Sequence, residues 1–475
     1  MPALAEGPSL DLRPRRRGDG GRFSTSATGA GDLIASAKLG GSLGYVVADV
    51  ETGVVLEARA ADDPMPPAST AKVVTTLYGL TMLGAGHRFV TRVLATGPLG
   101  SGKVDGDLVL VGSGDPVLDT DMLGDLVGRL AQAGLQGVTG RFLVAAGALP
   151  TLERIDRDQP EFVGYDPAIS GMNLNFNRVY FEWKKGGEGW TTSMDARGER
   201  FIPPVSLADV QVVERASPLF TYVRAGARED WTVASAALGN GGSRWLPVRQ
   251  PAAYAGEVFR TLARAQGIDL PVAEVVQVAP EGWEIGRHES RELGPVLRDM
   301  LKFSTNLTAE VVGLSSSGAQ DIASSGAAMT RWMGARHGIG GHFVDHSGLG
   351  AGSEISAAAM MRVLLAAWHD GGSGSALPGL LRDVGMKDAK GKVVKGHPVR
   401  VLAKTGTLNF ASGLVGYIQP PGGRVLAFAI YAADVERRAG LTVEEREDPP
   451  GGAGWTKRAR VLQGNLVDRW AGLYV

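Results

Sequence analysis

The rhythm of apolar positions changes along this chain. Around Ser42 to Ala58 they alternate and are often β-branched: Gly44-Tyr45-Val46-Val47-Ala48-Asp49-Val50, then Glu51-Thr52-Gly53, then Val54-Val55-Leu56-Glu57. Alternation on both sides of a Gly-containing turn predicts a β-hairpin. A proline-rich approach (Pro64, Pro66, Pro67) leads to Ser69. The run Val73, Val74, Leu77, Leu80 then predicts a helix ending near Gly84-Ala85-Gly86. From about 90 to 285 short strands are predicted at 89–96, 108–111, 142–145, 174–183, 210–214 and 231–236, with helical spacing at 121–133 and 252–266. Longer helical periods return at 290–303, 309–316, 324–337 and 356–370, and strands at 399–404, 413–418 and 424–432. An amphipathic helix at 455–470 closes the pattern.

Strands at both ends with helices between them suggest one α/β domain, interrupted by a β-rich insertion. The expected division is a flexible arm at 1–35, a discontinuous domain at 36–94 and 286–475, and an inserted β-rich region at 95–285, read as two small domains.

Composition narrows the function classes. A net charge of -1 argues against general nucleic-acid binding, which needs an excess of Lys and Arg. No run of 18 apolar residues offers a transmembrane segment. The absence of Cys excludes disulfides, zinc thiolate sites and Cys nucleophiles, and fits an oxidising compartment. The triplet Ala3-Leu4-Ala5 is of the kind that precedes signal-peptidase cleavage. A trimmed secretory signal is one reading of it, and a chance Ala-rich start is the other. The basic run 13–17 reads as part of the arm.

Three stretches carry chemistry. In Pro66-Pro67-Ala68-Ser69-Thr70-Ala71-Lys72, a Ser and a Lys three apart at a helix start share one face. The Lys amine could then take the proton from a hydroxyl that is otherwise a weak nucleophile. Alone, the same pattern is what an N-cap Ser and a solvated Lys would give. In Lys302-Phe303-Ser304-Thr305-Asn306, a hydroxyl and an amide two apart in an inter-helix turn could address one ligand, or form a local Ser or Asx turn. In Val401-Leu402-Ala403-Lys404-Thr405-Gly406-Thr407, an apolar strand ends in a cation, hydroxyls and a Gly that permits close approach.

In that order, Ser69-x-x-Lys72, Ser304-x-Asn306 and Lys404-Thr405-Gly406 resemble the three motifs of penicillin-binding proteins and serine β-lactamases. The wide gap from Ser69 to Ser304 resembles the low-molecular-mass D-alanyl-D-alanine carboxypeptidases and endopeptidases, which carry a large insertion after the nucleophile helix. Gly112-Ser113-Gly114-Asp115-Pro116, 173–177 and Asp345-x-Ser347-Gly348-Leu349 are also similar to that family.

The resemblance implies an α+β fold, an antiparallel sheet flanked by helices with inserted β-rich domains, and it implies Ser69 as the acylated nucleophile, Lys72 as its base and Ser304 as the proton relay. It implies Asn306, Lys404, Thr405, Gly406 and Thr407 as the substrate-binding set, with backbone N–H groups of Ser69 and Thr407 as the oxyanion hole. Lys72 and Lys404, as neighbouring cations, would depress each other's pKa. The implied partners are peptidoglycan peptides and β-lactam antibiotics as covalent inhibitors, in the periplasm or otherwise outside the cell. No cofactor or metal is implied.

The pattern departs from the family in two places. Gly350-Ala351 follows Ser347-Gly348-Leu349 where many relatives have Ser-Arg, and Leu408-Asn409-Phe410 replaces a Gly-Val type of turn. Asp166 is a candidate for peptide side-chain recognition by rough position. The histidines show no ligand cluster, and His342 and His346 read as polar loop residues. Gly40-Gly41-Ser42-Leu43-Gly44 precedes a strand, so it lacks the strand-to-helix context of a nucleophile elbow. The competing readings are a serine β-lactamase and a non-catalytic wall-binding protein.

Overall fold

The computed structural model describes residues 29–226, 228–387 and 392–475. Ala3-Leu4-Ala5 and the basic run 13–17 lie outside them. By its internal packing the chain divides into two compact units, one of residues 1–85, 297–305 and 322–475, the other of 86–296 and 306–321.

The first unit is built on a six-stranded antiparallel sheet. Its order is Arg382–Asp383, Arg400–Leu408, Ala411–Gln419, Leu426–Ala433, Ser42–Asp49, Val55–Arg59. The predicted hairpin and the three C-terminal strands are all in it. Leu426–Ala433 is buried along its whole length, because helices cover both faces. That is why these strands read as apolar runs and not as strict alternation.

On one face Tyr45, Val47, Val401, Ile418 and Phe428 pack with Leu462, Leu466 and Trp470 of the C-terminal helix Gly452–Tyr474. Leu33, Ile34 and Ala37 join this core. They belong to a helix, Ala30–Ala37, that begins inside the stretch expected as a flexible arm. Its apolar positions 30, 33, 34 and 37 have helical spacing, so the signal was present but short. The other face receives the helices Ala71–Met82 and Ala357–His369. Ser356 caps the second by accepting from the Ala359 N–H at 3.1 Å.

The second unit holds a five-stranded sheet ordered Ala273–Val276, Phe142–Ala145, Leu108–Val111, Val90–Ala95, Trp283–Glu289. The helices Thr120–Gln132 and Pro251–Ala265 lie on it. Two three-stranded sheets follow, one around Arg178–Gly186 and one around Arg228–Ala234. One hydrophobic core runs through all of these, from Val93 through Phe181 and Trp231 to Leu270, where the sequence suggested two small domains.

The first and last strands of this unit pair with each other, Val90 opposite Glu289 and Thr91 opposite His288. The structural boundaries therefore lie outside the expected 95 and 285. The strands Gly189–Asp195, Phe220–Ala225 and Gly241–Pro247 were not anticipated. Most of their residues are exposed or only partly buried, so pairing defines them and apolar periodicity does not. Conversely, Asn175, Phe176 and Asn177 sit at positive φ, and the strand predicted from 174 begins at Arg178. Asn tolerates the left-handed region, and the Asn177 amide ties the turn together by donating to Ala168 O at 2.8 Å.

Candidate active site

Pro67 and the three residues after it form a tight turn, a 3-10 helix at Ala68–Thr70, that runs directly into Ala71–Met82. Ser69 is half-buried in that turn, and Lys72 is fully buried one turn on. Lys72 Nζ lies 3.1 Å from Ser69 Oγ and donates to the Ser347 carbonyl at 2.7 Å. A carbonyl only accepts, so it fixes one N–H and orients the amine towards Ser69. Thr70 anchors the turn to the sheet, its hydroxyl 2.7 Å from Pro67 O and 3.0 Å from the Tyr431 hydroxyl.

The loop that supplies Ser347 is folded around Asp345. The Asp345 carboxylate accepts from Gly348 N at 2.7 Å and Gly350 N at 2.6 Å. Gly348 has φ +72, and a Cβ there would lie 1.9 Å from the Ala68 carbonyl oxygen. Only Gly lets the loop pass this close to the Ser69 turn. Thr75 completes the clamp by donating to His346 O at 2.6 Å.

His346 itself is buried, contrary to the reading of it as a polar loop residue. Its Nε2 is 2.7 Å from Ser325 Oγ, and burial pushes the imidazole down to about 3. It stays neutral in the fold while the unfolded chain takes up a proton below its ordinary value of 6.5. Its contribution to stability is therefore complete above 6.5 and falls as the pH drops from there towards 3. Denaturant titrations of wild type and His346→Leu at pH 7.5 and pH 4.5 should show the wild type losing about 2 kcal/mol more than the variant on acidification. Equal losses would mean that the imidazole does not drive the acid limb.

The third motif lies on Arg400–Leu408. The edge strand Arg382–Asp383 pairs only with Leu402 and Ala403. From Lys404 onward, that side of the strand has no strand neighbour among the described residues. Gly406 faces the Ser69 turn: a Cβ there would lie 2.7 Å from Pro67 O and 3.1 Å from both Ala68 Cβ and Thr70 Cγ2. The close approach that Gly406 permits is thus by the chain's own backbone.

Lys404 is 2% exposed, and its Nζ donates to Ser304 Oγ at 3.0 Å and to Thr405 O at 2.7 Å. Burial, then the Lys72 charge, then Arg382, hold its amine well below the usual lysine range. Ser304 is half-buried at φ +61, a left-handed residue that ends the helix Leu293–Phe303. Thr405 and Thr407 are exposed, and Arg460 of the C-terminal helix donates to Thr407 Oγ1 at 3.1 Å. Ser69, Lys72, Ser304 and the 404–407 stretch all belong to the first unit.

The sequence pattern of the D-Ala-D-Ala carboxypeptidase 3 (S13) family matches residues 31–449. The chain belongs to this family. It is 28% identical over 455 residues to a D-alanyl-D-alanine carboxypeptidase of Actinomadura sp. (strain R39), a match covering 85% of this chain and 79% of that protein. It is 27% identical over 420 residues to a carboxypeptidase of Mycobacterium tuberculosis, covering 82% and 76% of the two. The crystal structure of penicillin binding protein 4 (dacB) from Haemophilus influenzae has the same fold, with a TM-score of 0.73 at 20% identity over 94% of this chain and 99% of that one.

The serine-type D-Ala-D-Ala carboxypeptidase expected from the three motifs is therefore borne out, as is the α+β fold of penicillin-binding-protein type. A non-catalytic wall-binding protein is not what this family is.

Other residues of the expected site fall elsewhere. Asn306 opens the helix Asn306–Ser317 in the second unit, where its amide donates to Tyr165 O at 2.9 Å. Asp166 is fully buried and is held by Arg154 Nε at 2.9 Å and the N–H groups of Ile155 at 2.8 Å and Asp156 at 2.9 Å. Its carboxylate is occupied inside that unit, which argues against the recognition role suggested by its position. The unusual Leu408-Asn409-Phe410 turn has a local cause. Phe410 adopts φ +54 and is buried, its ring 6.2 Å from that of Trp455 on the C-terminal helix. Tyr431 and the Ser347 carbonyl were assigned no role from the sequence. Tyr431 sits in an apolar strand without a marker, whereas Asp345-x-Ser347-Gly348 was a usable signal.

Proposed function

We propose that this chain removes the terminal D-Ala from peptidoglycan stem peptides, or opens the equivalent cross-link, through an acyl-enzyme on Ser69. The observation that carries this reading is the arrangement of two amine–hydroxyl pairs in one unit, Lys72 with Ser69 at 3.1 Å and Lys404 with Ser304 at 3.0 Å. They are close enough for the Lys72 charge to lower the Lys404 pKa.

In the acylation step unprotonated Lys72 takes the Ser69 proton, and Oγ attacks the carbonyl carbon of the penultimate D-Ala. The backbone N–H groups of Ser69 and Thr407 receive the oxyanion. The near-contact of Gly406 with the Ser69 turn supports that pairing, because it sets the strand that carries Thr407 against the turn that carries Ser69. The C–N bond breaks as Ser304 passes a proton to the leaving nitrogen, and water then cleaves the ester. Thr405 and Thr407 hold the terminal carboxylate. A β-lactam follows the same first step, with its ring amide as the bond broken.

We assign the chemistry to the unit built on the six-stranded sheet and treat 95–285 as the core of an inserted region. The proposed location is the periplasm or another compartment outside the cytoplasmic membrane, where such substrates are. Among the described residues no helix is long and apolar enough to cross a membrane.

Incubation with a labelled penicillin followed by peptide mass mapping should give one adduct, on Ser69. Incubation with a pentapeptide ending in D-Ala-D-Ala should release D-Ala. An unmodified protein, or an adduct at another residue, would overturn the assignment.

A further inference from the structure

The strand Arg400–Leu408 has a second side. A cavity of about 370 Å³ opens along it, lined by Thr405 and Thr407, by Arg382 and Lys387, and by Arg460 and Gln463 of the C-terminal helix. Three of the side chains around it are cationic, and among the described residues no Asp or Glu lines it. The adjoining cavity, which shares Thr407, Lys387 and Arg460, also contains Glu447 and Asp448 and so is of mixed charge. Of these two cavities, the one behind Thr405 and Thr407 is the one whose described charged lining is cationic throughout.

This matters because the lysine of the motif is poorly suited to be the fixed positive charge. Lys404 is buried and committed to Ser304 and Thr405 O, and burial favours its neutral form. A guanidinium keeps its charge at any working pH. Arg460 is exposed, and its Nη2 donates to Thr407 Oγ1 at 3.1 Å. A hydroxyl that accepts from a cation has its own hydrogen free to donate, and its dipole is then oriented towards an anion.

We infer that Arg460 is the positioning residue of an anion subsite behind Thr405 and Thr407, orienting the Thr407 hydroxyl and supplying the permanent charge that recognises the terminal carboxylate of substrate or β-lactam. The inference rests on the acyl-enzyme reading above. It adds a residue from the C-terminal helix to a site otherwise built from the three motifs, and its ligand class is a carboxylate attached to the leaving side of the scissile amide.

The test compares acylation by benzylpenicillin, which carries the carboxylate, with acylation by benzylpenicillin methyl ester, which does not. In Arg460→Ala the second-order rate constant for the acid should fall about 10- to 100-fold, the range of a hydrogen bond to a charged group, while that for the ester changes less than about twofold. Arg460→Lys keeps the charge and loses the fork, so it should recover part of the difference. Thermal midpoints close to wild type would show that both variants fold. Equal losses on acid and ester, or no loss on either, would overturn the inference while leaving the acyl-enzyme reading intact. A wild-type protein that reacts with neither would instead overturn the acyl-enzyme reading, and the inference with it.

Discussion

Ser69→Ala should lose penicillin acylation and D-Ala release entirely, a fall of at least about 10⁴-fold in the acylation rate constant. The fold should be unaffected. Ser69 is half-buried, its described side-chain hydrogen bond is the one from Lys72, and Ala fits a helix start without strain. One other hydroxyl, Ser304, sits against a buried lysine that a carbonyl also orients, Lys404 with Thr405 O, and its proposed role is proton relay, not attack. The measurement is the rate of covalent labelling by a fluorescent penicillin, with the circular-dichroism melt as the control for folding. Labelling of the variant within tenfold of wild type would show that the acyl group is carried elsewhere.

The second large effect concerns Lys72. Two roles are open to a buried amine 3.1 Å from a hydroxyl: it can take the proton, or it can stabilise the alkoxide by charge alone. Substitution separates them. Lys72→Met removes both charge and base, while Lys72→Arg keeps a charge that does not leave at accessible pH. If proton transfer is the role, both variants should lose about 10³- to 10⁴-fold in acylation, with Arg doing no better than Met. If charge suffices, Arg should retain most of the rate, and the base assignment would be withdrawn. Met also leaves the Ser347 carbonyl without the Lys72 donor, at a cost of about 1 kcal/mol, which is small against that loss.

Much of this enzyme is legible before any coordinates. Ser69 and Lys72 are three apart on a helix start, so their meeting is local and follows from helical geometry. The hairpin at Ser42–Arg59 and the apolar strands near the C-terminus announce a sheet made from both ends of the chain. Less legible are elements defined by partners. The strand Trp283–Glu289 is mostly exposed, and only its pairing with Val90–Ala95 makes it a strand and moves the edge of the insertion outward. The helix Ala30–Ala37 has the right spacing over too few residues to stand apart from a flexible arm.

The site divides in the same way. The sequence marks Gly406 as a place of close approach, and the backbone of the Ser69 turn is what presses against it. His346 was read as a loop histidine because its neighbours are polar or small, yet the loop folds inward around Asp345 and buries it. Asp166 was suggested by position, and its partners Arg154, Ile155 and Asp156 are what remove it from consideration.

By itself, the order of residues determined the chemistry present: a hydroxyl beside an amine, a second such pair to be found, no thiol and no membrane-spanning run. Those facts need only side-chain identity and spacing within a turn or two. What the tertiary structure decided is which groups far apart along the chain touch: Ser304 with Lys404, Lys72 with the Ser347 carbonyl, Arg460 with Thr407. It also decided how deeply each is buried. Burial and the proximity of a second cation lower a lysine's pKa, and neither is a property of its neighbours in the chain.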